Sequence, residues 1–132
     1  MILEHVAIWT YDLEKLKDFY VQLLGAKASE KYVNLDKDFH SYFLSFNSGA
    51  RIEIMYMPGI PNNSNDIVHK QHQGIIHLAF GCKSVEEVEA KAKEFREAGF
   101  PILKGPRETG DGYFEFETLD PDNNRLEVTV KL

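Results

Sequence analysis

Two histidines and two glutamates recur in this 132-residue chain at nearly constant spacing. His5 opens the sequence His-Val-Ala-Ile, and His77 opens His-Leu-Ala-Phe 72 positions later. Glu53 follows Arg-Ile, and Glu127 follows Arg-Leu 74 positions later. Two imidazoles and two carboxylates form a mixed nitrogen and oxygen ligand set that suits Ni, Zn, Co, Mn or Fe better than Mg or Ca. The pattern therefore predicts one divalent transition metal for each complete set of these four residues.

Strand alternation predicts where the four side chains point. His77, Glu53 and Glu127 each stand between two aliphatic residues, and His5 is followed by Val6. Because successive side chains of a strand face opposite sides, each His or Glu lies opposite its apolar neighbours. Those neighbours suit packing against a helix. The four ligands are therefore expected on the sheet face that no helix covers, where they can converge on one ion.

Other residues of this expected face are candidates for substrate binding. Trp9 and Met55, with Tyr42 beside them, could form an apolar wall that excludes water, although core packing explains each of them equally well. Arg51 and Arg125 precede the two glutamates by two positions and so share their face. Each arginine could orient a carboxylate or bind an anionic group, and exposed charge at a strand edge is the competing interpretation.

The first half of the chain, about residues 1–57, has the elements needed to position such a site. Asp12 is a candidate N-cap for a helix with one apolar face, and Gly25 is its candidate end. The turn at Asn47-Ser48-Gly49 indicates an antiparallel hairpin. The strands expected in this module are 2–10, a weakly patterned one within 27–35, 39–46 and 51–57.

The second half, about residues 75–132, repeats this order. Ser84 and Glu87 have the spacing of a capping box, and Gly99 is the candidate end of that helix. The expected strands are 75–81, 101–104, 112–118 and 125–132. Residues 58–74 lack periodicity and are expected to be a linker. Together these patterns predict a single α+β domain over residues 1–132, in which two βαβββ modules form paired open sheets around a metal cavity.

Composition narrows the class of partner and the compartment. The net charge is −6, and no stretch of clustered Lys and Arg is present, which argues against binding of nucleic acid or an anionic membrane. No apolar run reaches the roughly 18 residues of a membrane span, and a strand pattern starts at Ile2. A single cysteine, Cys82, fits a reducing compartment. We therefore expect a cytoplasmic protein whose partner is a small-molecule substrate.

These residues and motifs resemble the vicinal oxygen chelate superfamily, which includes glyoxalase I, methylmalonyl-CoA epimerase, extradiol dioxygenases and fosfomycin or bleomycin resistance proteins. The resemblance covers essentially the whole chain. Besides the two His and two Glu motifs, it rests on the first-helix residues Phe19-Tyr20 and Leu23-Leu24-Gly25, and on Asp120-Pro121-Asp122-Asn123 before the last strand.

Within that superfamily, a His and a Glu from each module are similar to the ligand set of bacterial glyoxalase I. The resemblance implies that His5, Glu53, His77 and Glu127 are the metal ligands, that Glu127 or Glu53 is the catalytic base, and that the protein is a homodimer. Methylmalonyl-CoA epimerases usually have Gln at the position of Glu53. Glyoxalase I commonly carries an Arg after the first-strand His that helps to hold glutathione, whereas this chain has Trp9 there.

The function expected from this resemblance is a metal-dependent lyase or isomerase. Such an enzyme moves a proton on a substrate that chelates the metal through vicinal oxygens, for example a methylglyoxal-thiol hemithioacetal. Two alternatives stay open at this point: a non-heme iron dioxygenase of extradiol type, and a drug-binding resistance protein without catalysis. The thiol, the native metal and the choice between one chain and two for the site also stay open.

Overall fold

The computed structural model describes all of residues 1–132, which divide into two compact units, Met1–Asn63 and Ser64–Leu132. Each unit contains one helix and one mixed sheet, so the predicted α+β fold of two βαβββ modules is confirmed. Neither helix is long and apolar enough to cross a membrane.

Unit 1 is a five-stranded sheet with one helix. Its strands follow the order β1-β5-β4-β2, with β3 also on β4, and only β1 and β5 run parallel. The strand expected within 27–35 is split in two at Ser29. The Ser29 backbone N–H donates to the Phe43 carbonyl, and the Ser29 hydroxyl oxygen accepts from the Phe43 backbone N–H in place of a ladder bond. The elements are β1 (His5–Trp9), α1 (Leu13–Leu24), β2 (Lys27–Ala28), β3 (Tyr32–Asn34), β4 (Phe39–Ser45) and β5 (Arg51–Tyr56).

Unit 2 has four strands in the order β6-β9-β8-β7, and only β6 and β9 run parallel. The strand predicted at residues 101–104 extends well beyond them. It continues through Gly105 and Pro106 with shifts of register against its neighbour, and these shifts break the alternation by which a strand is recognised in a sequence. The elements are β6 (Leu78–Gly81), α2 (Val85–Glu97), β7 (Ile102–Glu108), β8 (Tyr113–Leu119) and β9 (Arg125–Lys131).

Both helices begin at the residues that the sequence indicates. The Asp12 carboxylate accepts a hydrogen bond from the Lys15 backbone N–H, and the Ser84 hydroxyl accepts one from the Glu87 backbone N–H. These bonds satisfy backbone donors that have no partner within the helix. Gly25 adopts the left-handed conformation, with φ of 69°, which ends α1 without the steric penalty that a Cβ would bring.

Each helix covers only one face of its sheet. In α1 the buried side chains include Leu16 and Tyr20, and α1 packs on β4 and β5. In α2 they include Phe95, whose ring lies 5.6 Å from that of Phe116 on β8. His5, Glu53 and Glu127 alternate with apolar residues along β1, β5 and β9. They therefore lie on the sheet face that the helix of the same unit leaves open.

Candidate metal-binding site

In unit 1 the parallel pairing of β1 with β5 brings His5 and Glu53 together. Glu53 is the register partner of Ala7, two residues from His5 on the same face. The His5 Nε2 atom lies 3.6 Å from a Glu53 carboxylate oxygen. The other ring nitrogen of His5 contacts the Glu4 carboxylate, which also binds Arg51. These contacts lower the pKa of Glu4 and orient the imidazole with Nε2 towards Glu53.

Unit 2 contains the equivalent pair. Glu127 on β9 is the register partner of Ala79 on β6, and His77 directly precedes that strand. The His77 Nε2 atom lies 3.3 Å from a Glu127 carboxylate oxygen. Strand alternation predicts both members of each pair on one face, and within each unit the structure brings them together.

The spacing within each pair fits two ligands of one ion. Nitrogen and oxygen ligands about 2.0 to 2.2 Å from a tetrahedral metal lie roughly 3.3 to 3.6 Å apart. The two His–Glu distances, 3.6 Å and 3.3 Å, correspond to that separation. Each unit therefore holds half of the predicted ligand set, at the separation that two ligands of one tetrahedral ion have.

Burial and neighbouring carboxylates affect Glu127. Burial is the largest cause that raises the pKa of Glu127, and Glu115 and Glu117 raise it further, while His77 acts in the opposite direction. Carboxylate oxygens of Glu115, Glu117 and Glu127 lie within 4.8 Å of one another. A proton on Glu127 is thus held more firmly than on an ordinary glutamate.

Glu115 and Glu117 were not identified from the sequence. The sequence pattern could have placed them together, because they alternate with Phe114 and Phe116 along β8 and so share one face. What the sequence does not give is the register that sets Glu117 directly beside Glu127. An all-carboxylate cluster suits a hard cation such as Mg or Ca, whereas the His77–Glu127 pair suits a transition metal.

The two arginines that precede the glutamates are placed differently. The Arg125 guanidinium is buried and donates hydrogen bonds to Glu117 at 2.7 Å and to the backbone carbonyls of Ile67 and Val68. Arg51 is far more exposed, pairs with Glu4 and lies over the ring of Phe43 at 4.1 Å. Arg125 thus joins the linker segment to β9, whereas Arg51 is accessible from the open face.

The three candidates for an apolar wall do not all lie on the same face of the sheet. Trp9 and Met55 are register partners, so they share the face of His5 and Glu53. Tyr42 is the register partner of the buried Ile54, and its hydroxyl donates to Glu14 of α1 at 3.0 Å. Tyr42 therefore lies on the helix side of the sheet, and its placement in the wall was wrong.

Comparison with known proteins gives the family. Residues 2–128 match the model of the Glyoxalase/Bleomycin resistance protein/Dioxygenase superfamily, and the chain belongs to that superfamily. It is 30% identical over 129 residues to the protein YwkD of Bacillus subtilis, whose activity is uncharacterised, and the match covers 96% of this chain and 94% of YwkD.

Two further similar proteins are themselves named for glyoxalases. A "Probable lactoylglutathione lyase" of Vibrio cholerae is 26% identical, and the match covers 94% of this chain and 86% of that protein. The crystal structure of a glyoxalase family protein from Enterococcus faecalis superimposes with a TM-score of 0.72 at 26% identity, covering 96% of this chain and 94% of that one.

Proposed function

We propose that this protein is a metal-dependent lyase or isomerase of glyoxalase type, which moves a proton on a small substrate bound through two vicinal oxygens. The observation that carries the proposal is the duplicated His–Glu pair, with 3.6 Å between the donor atoms in unit 1 and 3.3 Å in unit 2. The likeness to the Vibrio cholerae protein, which is named for such an activity, supports the same reaction class.

His5, Glu53, His77 and Glu127 are the proposed ligands of one Ni, Zn, Co, Mn or Fe ion. A complete site needs the His5–Glu53 pair and the His77–Glu127 pair, either from one chain or from two copies of it. When bound, the ion supplies Lewis-acid chemistry: it withdraws electron density from the substrate oxygens and stabilises the negative charge that develops on them. The two carboxylates offset the charge of a divalent ion.

Glu127 is the proposed base, with Glu53 as the alternative. A base must accept a proton from the carbon beside the carbonyl and return it to the neighbouring carbon. The partial burial of Glu127 and its acidic neighbours raise its pKa. Its carboxylate is therefore a stronger proton acceptor than that of an ordinary glutamate. Trp9 and Met55 are proposed to exclude water on the unit 1 side, and Arg51 to bind an anionic group of the substrate.

Arg125 has a different proposed role from the one that its spacing suggested. Its guanidinium is engaged by Glu117 and by two linker carbonyls. We propose that it acts on the substrate only indirectly, by fixing the linker and the carboxylates beside Glu127.

Metal content is the first test. Protein purified without added metal should take up about one equivalent of Ni, Zn, Co, Mn or Fe for each full ligand set. His77→Ala should lose most of that ion, whereas His69→Ala, which changes an exposed linker histidine bonded to Asp66, should keep it. Wild-type protein that takes up none of the five ions at neutral pH would rule out the proposed catalysis and favour a drug-binding protein.

Activity is the second test. The metal-loaded protein should isomerise the hemithioacetal formed from methylglyoxal and glutathione or another small thiol. Several thiols are needed because Trp9 replaces the arginine that commonly holds glutathione in glyoxalase I. Oxygen uptake with a catechol by the ferrous protein, without isomerase activity for any thiol, would identify a dioxygenase instead.

We also propose that the protein acts as a cytoplasmic homodimer. Strands β1 and β6 each end their sheets, and an end strand offers backbone N–H and C=O groups to a second chain. The apolar residues Met1, Ile2 and Leu3, which precede β1, are exposed and are available for burial in such a contact.

A further inference from the structure

The open face of unit 1 carries a cluster of aromatic rings, formed by Trp9, Phe39 and Tyr32. The ring of Phe39 lies 6.0 Å from that of Trp9 and 6.0 Å from that of Tyr32, both in edge-to-face arrangements. Trp9 is 40% exposed and Tyr32 is 56% exposed. Large aromatic side chains at this exposure present ring surface that a ligand can cover.

The strand register places this aromatic cluster beside the His5–Glu53 pair. Trp9, Met55, Ser41 and Tyr32 form one row of register partners across four strands. The row that contains Glu53 is two residues away, which is roughly 7 Å along a strand. A group attached to a chelating head at His5 and Glu53 can therefore reach the rings.

On β1 only a small side chain lies between the ligand pair and the rings. Ala7 lies between His5 and Trp9 on the same face of β1 and is exposed. Its methyl side chain leaves room above this strand. A flat substituent can lie over Ala7 and meet the ring of Trp9 at its far end.

The duplicated unit shows that the rings are not needed to build a His–Glu pair. Gly81 occupies the position in β6 that Trp9 occupies in β1, four residues after the histidine. Beside the glutamate, unit 2 has Glu117 where unit 1 has Phe43. The ligand pair is the same in the two units, whereas its surroundings are aromatic in unit 1 and acidic in unit 2. The aromatic residues therefore have a role other than holding the pair.

We propose that this aromatic cluster binds the ring of an aryl-substituted substrate, whose two vicinal oxygens bind the metal. Among substrates of the proposed reaction, those that carry an aryl group beside the two oxygen donors are thus preferred over purely aliphatic ones. This inference rests on the proposed function, because it assumes a chelating head at the His–Glu ligands.

Hydroxamates test the proposal directly, because they chelate through two adjacent oxygens and undergo no isomerisation. The chain has one tryptophan, Trp9, so its emission reports on the cluster itself. The Zn-loaded protein is titrated with acetohydroxamate, benzohydroxamate and cyclohexanecarbohydroxamate; Zn is chosen because it has no redox chemistry. We expect benzohydroxamate to bind about tenfold more tightly than acetohydroxamate, with a change in Trp9 emission, and the cyclohexyl compound to fall between them.

Variants separate the aromatic cluster from intrinsic differences between the ligands. Tyr32→Leu should reduce the preference for benzohydroxamate over acetohydroxamate to about threefold or less. Val33→Ala is the matched control, since Val33 is the next residue of β3, is 41% exposed and points to the other face. It should leave the tenfold preference unchanged. Calorimetry gives the same comparison for Trp9→Leu, which lacks the fluorophore.

The outcomes distinguish this inference from the proposed function. Equal affinity for the aromatic and aliphatic hydroxamates would overturn the aromatic subsite and leave chelation intact. Failure of all three to bind the Zn-loaded protein would overturn the proposed function and this inference with it. Trp9 emission that shifts with protein concentration, and not with benzohydroxamate, would show that a second copy of the chain covers the rings and would also overturn the inference.

Discussion

At the scale of single residues, the two glutamates of the proposed site differ in what surrounds them. Glu127 has Glu115 and Glu117 close by, and burial with these charges raises its pKa. Glu53 instead has Phe43 and Ala7 as its register partners. The raised pKa of Glu127 is the reason for assigning proton transfer to this residue.

Glu127→Gln separates the two roles of this residue. The amide oxygen can still coordinate a metal, so part of the ion should be retained, whereas the amide cannot accept the proton. Turnover of the hemithioacetal should fall by about 10² or more, the usual scale for a positioned general base. Glu53→Gln is the matched variant and should lose less turnover at equal metal content.

Isotope exchange gives an independent measurement of the same step. Solvent deuterium should enter the product carbon in the wild-type reaction if the proton exchanges while it is held by the carboxylate. Full activity of Glu127→Gln would exclude Glu127 as the base and transfer that role to Glu53.

At the scale of elements, the buried Arg125–Glu117 pair joins β9 to β8 and to the linker. Replacing Arg125 with Met should lower the free energy of unfolding by about 3 kcal/mol, because it leaves Glu117 buried with fewer partners. Arg51→Met is the matched control at the repeated position. It should cost less than about 1 kcal/mol, because the Arg51–Glu4 pair is exposed to solvent.

Urea unfolding of the two variants and the wild type measures this difference. Limited proteolysis should also cut the Arg125→Met protein faster near Ile67 and Val68, whose carbonyls lose their donor. Equal stabilities for the two variants would contradict the assigned role of Arg125.

Glu14 connects α1 to the sheet of unit 1 and should make its stability depend on pH. Hydrogen bonds from Lys17 and Lys31 lower the pKa of Glu14 to about 2. Because the folded-state pKa lies below the usual value of 4.5, the stabilisation is complete above that value and is lost as the pH falls towards about 2. Its side chain is 49% exposed, so solvent screening limits the contribution to less than about 1 kcal/mol.

The measurement is the free energy of unfolding of wild type and Glu14→Gln from pH 7 to pH 2. The two curves should differ at pH 7 and converge in acid. Glu89→Gln, at an exposed position of α2, should show no such convergence. A Glu14→Gln difference that does not change with pH would show that the ion pairs of Glu14 do not contribute.

The sequence predicted those elements whose signal is local. Asp12, Gly25 and Ser84 set the helix ends because each acts on backbone groups within a few residues. The His–Glu pairs could be anticipated because duplication and strand alternation constrain which residues share a face. Glu117, Tyr42 and the extension of β7 were missed or misplaced because they depend on strand register and on contacts with distant segments.

At the scale of the whole molecule, the proposed assembly is a dimer of a 15.2 kDa chain. Sedimentation at micromolar concentration should give about twice that mass. Deleting residues 1–3 should shift the equilibrium towards the monomer, since these exposed apolar residues adjoin the end strand β1. A wild-type monomer at micromolar concentration would defeat the proposal.

The parallel pairing that joins the first and last strands of each unit also bears on the order in which the protein folds. In unit 1 the strand with His5 pairs with the strand with Glu53 although α1 and the strands β2 to β4 lie between them in the chain. Contacts between residues far apart in the chain cost more loop entropy than local ones and form late. We therefore expect the two donors of each unit to meet late in folding, so that the proposed ion would bind a folded chain instead of nucleating its fold.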